Sequence, residues 1–403
     1  MTEMDTQIKH FIKQFLEDRN LQLNEIEICS NGSVGKNFMG SIKCVKVRGK
    51  KPHNFVVKIA PSNIIFRNAH ATKAIYLREI YTYEKILPTF LELQMNYKVP
   101  LIFDSYPKYC ASSKVDLNEF VVMKNVMSLG YKNYDNFEFD LEHAVLVMKA
   151  LGKLHALSFG LRKKNFDAFC EIRNNARDDE YQPEFVPTSQ EVLDLFTMAG
   201  LNSLDPVNDK VAFEKFDAFR KNIGSVVRAA FTEMNHSEYA VVTHGDCWIA
   251  NFLFKYQDNQ VPNDVLLLDW QFTRIGSPAF DISQFFFICC GRKIRNLHYT
   301  KLLQTYYESL SSFLKFFDEE ACELFPYEVL MEHLRKFSVL GLATALRMKY
   351  LLTVDHESLP KSDCIDDIQQ FSKQIFEAKR NASLYNVEMR DVILDYINFG
   401  YNI

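Results

Sequence analysis

The sequence predicts an α+β protein of two unequal lobes: a small β-rich N-terminal lobe with one main helix, and a larger helical C-terminal lobe with an embedded β-hairpin. Three observations carry this. The 403 residues exceed the size at which a single hydrophobic core stops growing. The first third is built of short β-branched runs separated by Gly, Pro, Lys and Asn. From Leu141 onward, apolar residues recur at helical spacing.

Taken in order, residues 26–29, 41–47 and 54–60 read as strands. A helix is expected over 69–87, ended by Pro88, with Tyr76, Ile80, Tyr83 and Leu87 at i, i+4, i+7 and i+11 forming its buried stripe. A further strand is expected over 120–126. The lobe boundary is placed there, with residues 1–124 in the N-terminal lobe and 125–403 in the C-terminal one. LEHAVLVMKALGKLHALSFGL (141–161) is apolar on most of its circumference and predicts a deeply buried helix. The polar stretch 163–209 predicts loops and short helices. Strands follow around His244 and Leu266, then helices from Phe280 to the C-terminus.

Composition excludes several function classes. Hydrophobic residues make up 47% of the chain and aromatics 14%, enough for a packed core. The net charge of −4, with no long basic run, argues against nucleic acid or an anionic membrane surface as the main partner. The charged N-terminus reads as an amphipathic helix and not a signal peptide, and the apolar run FFFICC (285–290) is too short to span a bilayer. Nine cysteines without a C-x-x-C pair read as reduced thiols, so a cytoplasmic protein is expected.

The chemistry is concentrated in HGDCWIAN (244–251), which interrupts two apolar runs. Asp246 and Asn251 stand at the D-x-x-x-x-N spacing of a kinase catalytic loop. A hairpin follows and ends at Asp269, directly after four apolar residues, where a carboxylate at the end of a buried strand is placed to hold a divalent metal. Phosphoryl transfer needs this set: a proton acceptor at the incoming hydroxyl, and oxygen ligands that keep Mg²⁺ on the nucleotide phosphates. Singly, each residue also has a structural reading, as a helix cap, a turn residue or a strand-end carboxylate.

The N-terminal lobe adds Lys58, mid-strand on the face of Val56 and Ala60, where a buried ammonium requires an anionic partner. The helix offers two carboxylates, Glu79 and Glu84. They flank the apolar stripe equally, so periodicity does not choose between them. Upstream, NGSVGKNFMGS (31–41) has the look of a phosphate-covering turn, with Ser33 and Gly35 as candidate contacts. It matches neither G-x-G-x-x-G nor a Walker A, since Asn37 stands where the latter has Ser or Thr and Ser30 replaces its leading glycine.

HGDCWIANFLF, VLLLDWQF and SPAFDISQFF, preceded by FVVKIAP, REIYTYEKILP and ALGKLHALS, resemble the ecdysteroid kinase-like (CHK-kinase-like) family of small-molecule kinases. That family is similar, more distantly, to choline kinases and aminoglycoside phosphotransferases. The resemblance runs from about Asn31 to the helix after Asp281, with the CHK-like region over roughly 120–316. It implies a two-lobed protein-kinase-like fold, with ATP bound by the N-terminal lobe and its γ-phosphate passed to a small-molecule hydroxyl. By the same resemblance, Asp246 is the base or hydroxyl-orienting group, Asn251 and Asp269 hold Mg²⁺, and Lys58 contacts the nucleotide phosphates. The family's helix glutamate lies four before a Tyr that precedes Leu-Pro, which selects Glu79. Residues Met123 to Val126 would be the hinge offering backbone groups to adenine. His244 and Asp281 look like framework positions, Asp281 as a helix N-cap that also anchors the catalytic loop.

Two departures stand out. The hinge reads Met-Lys-Asn-Val where relatives carry Glu-Asp, and Asp269-Trp270-Gln271 replaces their Asp-Phe-Gln. His155 and Cys247 read as buried structural groups, and most of the 34 Phe and 19 Tyr as core. The resulting expectation is an ATP- and Mg²⁺-dependent kinase of a small, apolar alcohol such as an ecdysteroid or a hydroxylated xenobiotic, with no obligatory protein partner. The rival reading is a pseudokinase or ligand-binding module that keeps the fold without transfer. A protein kinase is disfavoured, because no Ala-Pro-Glu follows Asp269.

Overall fold

The computed structural model describes residues 3–19, 23–30, 40–49, 52–176, 190–257, 260–359 and 365–403. The strands β1 (Leu23–Ser30), β2 (Ser41–Gly49), β3 (His53–Ile59), β4 (Tyr109–Ser113) and β5 (Phe120–Lys124) form an antiparallel sheet in the order β1-β2-β3-β5-β4. Side-chain alternation gives this sheet two faces. On the outer one, Val45, Val47, Phe55, Val57, Phe120 and Val122 pack against Ile8, Ile12 and Leu16 of α1 (Glu3–Glu17). Each of those three α1 side chains contributes about 1.5–3 kcal/mol by leaving water. On the inner face the register aligns Cys29, Cys44, Val56 and Met123 in one row, and Ile42, Lys58 and Val121 in the next. Strand β4 has little signal in the sequence: beyond Tyr109, Tyr-Cys-Ala-Ser-Ser offers no β-branched or aromatic side chain, and its pairing with β5 makes it a strand.

The helix expected over 69–87 differs in both bounds. Ala69 closes a separate short helix, α2 (Ile64–Ala69), and Ala71 turns the chain through a left-handed backbone (φ 46°) into α3 (Thr72–Tyr81). Pro88 does not end the rod. A π-helical turn over Thr82–Ile86 passes directly into α4 (Leu87–Asn96), with the Leu87 N–H donating to the Thr82 carbonyl, five residues back. Proline has no N–H and its ring crowds the carbonyl four residues earlier; the widened turn takes up that conflict without breaking the helix. The expected stripe is buried: Tyr76, Ile80, Tyr83 and Leu87 all lie in the main core.

The C-terminal lobe is organised on α5 (Leu141–Lys164), capped by Asp140 and followed by α6 (Phe166–Asn175). By length and composition α5 could cross a bilayer, but most of it is packed inside the protein, with Ala144, Val147, Leu151, Leu154 and Leu157 buried. Around it lie α7 (Gln190–Leu201), α8 (Lys210–Arg220), α9 (Ile223–Met234), α10 (Pro278–Cys289), α11 (Arg292–Leu314), α12 (Ala321–Leu324), α13 (Tyr327–Phe337), α14 (Val339–Leu352), α15 (Ile368–Glu377) and α16 (Ala382–Asn398). The predicted hairpin is β8 (Phe252–Tyr256) with β9 (Pro262–Leu267), extended by the two-residue strand β6 (Lys132–Asn133). A separate ribbon pairs β7 (Val241–Thr243) with β10 (Arg274–Gly276). These two small sheets hold the ends of the HGDCWIAN loop, which leaves β7 and enters β8.

Candidate active site

The loop from His244 to Asn251 is fixed by one carboxylate. Asp281, fully buried on α10, accepts the His244 N–H at 2.7 Å and the Gly245 N–H at 2.9 Å. Asp281 is not the N-cap of α10: that cap is Ser277, whose hydroxyl accepts the Ala279 N–H, and Asp281 lies in the first turn. With the cap supplied by Ser277, the Asp281 carboxylate is left to the loop. His155 of α5 donates its Nε2–H to Asp281 (3.2 Å), and its Nδ1 hydrogen-bonds the Tyr306 hydroxyl (2.8 Å). Burial opposes ionisation of Asp281, but the hydrogen bond and charge of His155, the nearby His244 and the Gly245 N–H hold its carboxyl below the usual range. Gly245 takes φ 83°, and a Cβ there would lie 2.1 Å from the Phe272 carbonyl oxygen, so only glycine makes the turn. His244 donates its Nε2–H to the Leu268 carbonyl at 2.9 Å, tying the loop to the end of the hairpin.

The turn presents Asp246 in a buried position with one carboxylate oxygen secured. Its Oδ2 accepts the Asn251 Nδ2–H at 2.7 Å and the Trp248 indole N–H at 3.2 Å. Among the described residues nothing donates to Oδ1. Burial, and then the negative charge of Asp269, push the Asp246 carboxyl well above its ordinary value; Asn251, Lys58 and Trp248 oppose them. Cys247 is buried, its thiol raised by burial first.

From the other lobe, Lys58 reaches into the same place. Its Nζ donates to Glu79 Oε2 at 2.7 Å, to Asp269 Oδ1 at 2.5 Å and to Gln271 Oε1 at 3.1 Å. Burial alone would discharge this ammonium, but the Asp269 and Glu79 carboxylates hold it charged, above its ordinary range. Glu79 is raised by burial in turn, with Lys58 pulling against that. Of the two carboxylates that the helical wheel left open, Glu79 meets Lys58, while Glu84 bonds to Tyr109, Ser112 and Lys114. Asp269 has a left-handed backbone (φ 66°, ψ 71°), an uncommon conformation for a residue with a Cβ and one that concentrates at functional sites.

The donor set fits a hard divalent cation. Asn251 gives both bonds of its Nδ2 to Asp246, which turns its Oδ1 away, and Asp269 spends only Oδ1 on Lys58. Two side-chain oxygens therefore remain, and no group of three His, Cys, Asp or Glu residues surrounds them among the described residues. That suits Mg²⁺, which keeps its remaining positions for phosphate and water.

The hinge segment follows β5. Val126 is buried against Leu253 and Leu266, and its carbonyl is taken by the N–H groups of Gly130 and Tyr131. Among the described residues its N–H has no hydrogen-bond acceptor. Met123 lies in the inner-face row opposite Val56. Asn125 caps the short 3₁₀ turn that starts the C-terminal lobe. Ser33 and Gly35 lie outside the described residues. Sequence reasoning passed over Trp248 and Gln271 as site residues. Both stand inside the motifs that carry the resemblance, two residues beyond Asp246 and Asp269 respectively, and that placement is the signal that could have found them.

A strand lysine paired with a helix glutamate thus faces a loop aspartate, an asparagine and a second aspartate of the helical lobe. The chain belongs to the ecdysteroid kinase-like family, a family of small-molecule kinases; the model of that family matches residues 34–318. No curated protein sequence matches the chain. Several solved structures are similar to the chain over most of their length. An aminoglycoside phosphotransferase from Alicyclobacillus acidocaldarius subsp. acidocaldarius DSM 446 is 10% identical, over 94% of this chain and 91% of that one, with a TM-score of 0.42. The GDP complex of aminoglycoside 2'-phosphotransferase-IIIa is 14% identical, over 94% and 97%, with a TM-score of 0.41. Amicoumacin kinase hAmiN with AMP-PNP, Ca2+ and Ami is 12% identical, over 95% and 99%, with a TM-score of 0.40.

Proposed function

We propose that this protein transfers the γ-phosphate of ATP, with Mg²⁺, to a hydroxyl of a small apolar molecule, an ecdysteroid or a hydroxylated xenobiotic. The observation that carries the reading is the state of Asp246: one carboxylate oxygen fixed by Asn251 and Trp248, the other without a donor, on a loop pinned by Asp281. In this reading Asp246 Oδ1 receives the acceptor hydroxyl's hydrogen bond and orients its oxygen toward the γ-phosphorus. As the new O–P bond forms and the bond to the β-phosphate oxygen breaks, the hydroxyl proton passes to Asp246 and ADP leaves. The raised carboxyl of Asp246 suits a group that gains a proton.

Lys58 carries the fixed positive charge for the phosphates, and Glu79 holds it in place. Asn251 and Asp269 would hold Mg²⁺, which neutralises charge on the phosphate oxygens when bound. That the Val126 N–H has no acceptor among the described residues supports it as the hinge group offered to adenine. The acceptor class rests on the family alone. Transfer is favoured over mere binding because Lys58, Asp246, Asn251 and Asp269 are all present at one site.

The test is purified protein with Mg²⁺ and γ-labelled ATP, offered a panel of ecdysteroids and other hydroxylated apolar compounds, with Asp246→Asn and Asp269→Asn alongside. Label should enter a small molecule with the unmutated protein and be lost in both variants. Near-normal transfer by Asp269→Asn would remove the metal role from that residue. Nucleotide binding without transfer to any acceptor, together with no ATP hydrolysis, would favour the pseudokinase reading.

A further inference from the structure

The inner face of the N-terminal sheet carries two thiols that the proposed reaction does not use. Strands β1 and β2 run antiparallel, and their register sets Cys29 directly opposite Cys44. Directly opposed residues in such a pair project to one face with Cα atoms about 4.5–5.5 Å apart, inside the roughly 4.4–6.8 Å that a disulfide spans. The same row continues through Val56 to Met123 at the hinge, and the next row holds Lys58. Because α1 covers the opposite face, both thiols share the side from which Lys58 reaches Glu79 and Asp269.

The surroundings of the two sulfurs differ. Cys44 is buried, and its Sγ accepts from Asn125 Nδ2 at 3.9 Å, a direct contact with the hinge. Cys29 is half-buried, and its thiol donates to Glu27 Oε1 at 3.6 Å. The sulfurs also sense each other: burial, and then the charge of Cys29, hold the Cys44 thiol above its ordinary value.

We propose that Cys29 and Cys44 are a dithiol–disulfide pair in the roof of the nucleotide cleft, oxidised by a hydroperoxide, and that the disulfide form binds nucleotide more weakly. The second half of this rests on the ATP reading of the cleft. The more accessible Cys29, as thiolate, attacks a peroxide oxygen; the O–O bond breaks, leaving a sulfenic acid and, for hydrogen peroxide, one water once the thiol's proton is counted. The Cys44 sulfur then attacks the Cys29 sulfur, the S–O bond breaks, and a second water leaves with the Cys44 proton. Two thiols lose two electrons and two protons, and one peroxide becomes two waters. In the disulfide the Cys44 sulfur is turned toward β1. It gives up its bond from Asn125, and the roof is tied beside Val56 and Met123.

The test treats the full chain with hydrogen peroxide, blocks remaining thiols, and maps cross-linked peptides by mass spectrometry. Mg-ATP affinity is measured by calorimetry before oxidant, after it, and after a thiol reductant. The expected result is a Cys29–Cys44 peptide and a loss of about ten-fold in affinity, the scale of one polar contact. The reductant should restore binding, and Cys29→Ser should bind equally before and after peroxide. No such peptide, or the peptide with unchanged affinity, overturns the proposal. A reduced protein that binds no nucleotide overturns the ATP reading itself, and that result appears before any oxidant is added.

Discussion

Lys58 and Asp269 are 211 residues apart in the chain and meet at 2.5 Å, one from each lobe. With Glu79 on the same ammonium, the cluster holds two carboxylates against one cation, all of it largely out of water. Such a cluster favours whatever adds positive charge or takes over Lys58. A cation beside Asp269 does the first, and an anionic phosphate at Lys58 does the second. The ion pair is therefore a resting arrangement that ligands of the proposed reaction would exchange for their own contacts.

Asp246→Asn should lower phosphate transfer by about 10²–10⁴-fold, the range for loss of a positioned proton acceptor. The same change should leave the melting temperature unchanged or higher, since burial and Asp269 already disfavour the charge on Asp246. Steady-state kinetics and thermal unfolding on one preparation check both. A large fall in stability would mean the activity loss reports unfolding and not chemistry.

Trp248→Phe keeps an aromatic ring in place but removes the N–H that donates to Asp246 Oδ2. One such hydrogen bond is worth about 0.5–1.5 kcal/mol, so kcat should fall by up to about ten-fold while KM for ATP stays near its original value. Equal changes in both constants would place the indole in binding and not in orienting the carboxylate.

At Gly245, alanine has no room: the backbone is left-handed, and the added carbon would overlap the Phe272 carbonyl. Gly245→Ala should destabilise the protein by about 2–4 kcal/mol and abolish transfer, because the loop can only relax by giving up its bonds to Asp281. Denaturant unfolding measures the first effect. A fully stable, active variant would show that the turn adapts.

His333 hydrogen-bonds the Ser277 hydroxyl that caps α10, the helix carrying Asp281. Burial, the largest cause, lowers its pKa from 6.5 to about 4. The sign follows: the folded protein keeps this imidazole neutral, while the unfolded chain protonates it near 6.5. Its contribution is fully present above pH 6.5 and is lost as pH falls toward about 4, up to about 3 kcal/mol for a shift of this size. His70, also lowered by burial to about 4, adds to the same window. Unfolding free energy should decline across it, and His333→Gln should flatten part of that slope. An unchanged slope would mean the imidazole does not titrate between the two states.

Much of this was legible locally. The Lys58 strand, the stripe Tyr76–Ile80–Tyr83–Leu87 and the hairpin after Asn251 are periodic patterns of two and near four residues, and such patterns are properties of short segments. What was not legible came from distant contacts. A wheel gives the angle of a side chain about its helix axis but not which element stands opposite, so periodicity left Glu79 and Glu84 open; the resemblance selected Glu79, and the packing of the sheet on α3 pairs it with Lys58. Strand β4 has little propensity of its own, and Pro88 reads as a stop until a π turn absorbs it.

The sequence alone determined the two-lobe α+β plan, the order of lysine, glutamate, Asp246, Asn251 and Asp269, and the resemblance to a family, because residue type and spacing suffice for these. The tertiary structure decided which oxygens are held and which remain available. Asp281 grips the loop from α10 because Ser277 relieves it of capping, Trp248 and Asn251 both secure Asp246 Oδ2, and Lys58 bridges the lobes. Each of these is a hydrogen bond between groups whose separation along the chain carries no information about their separation in space.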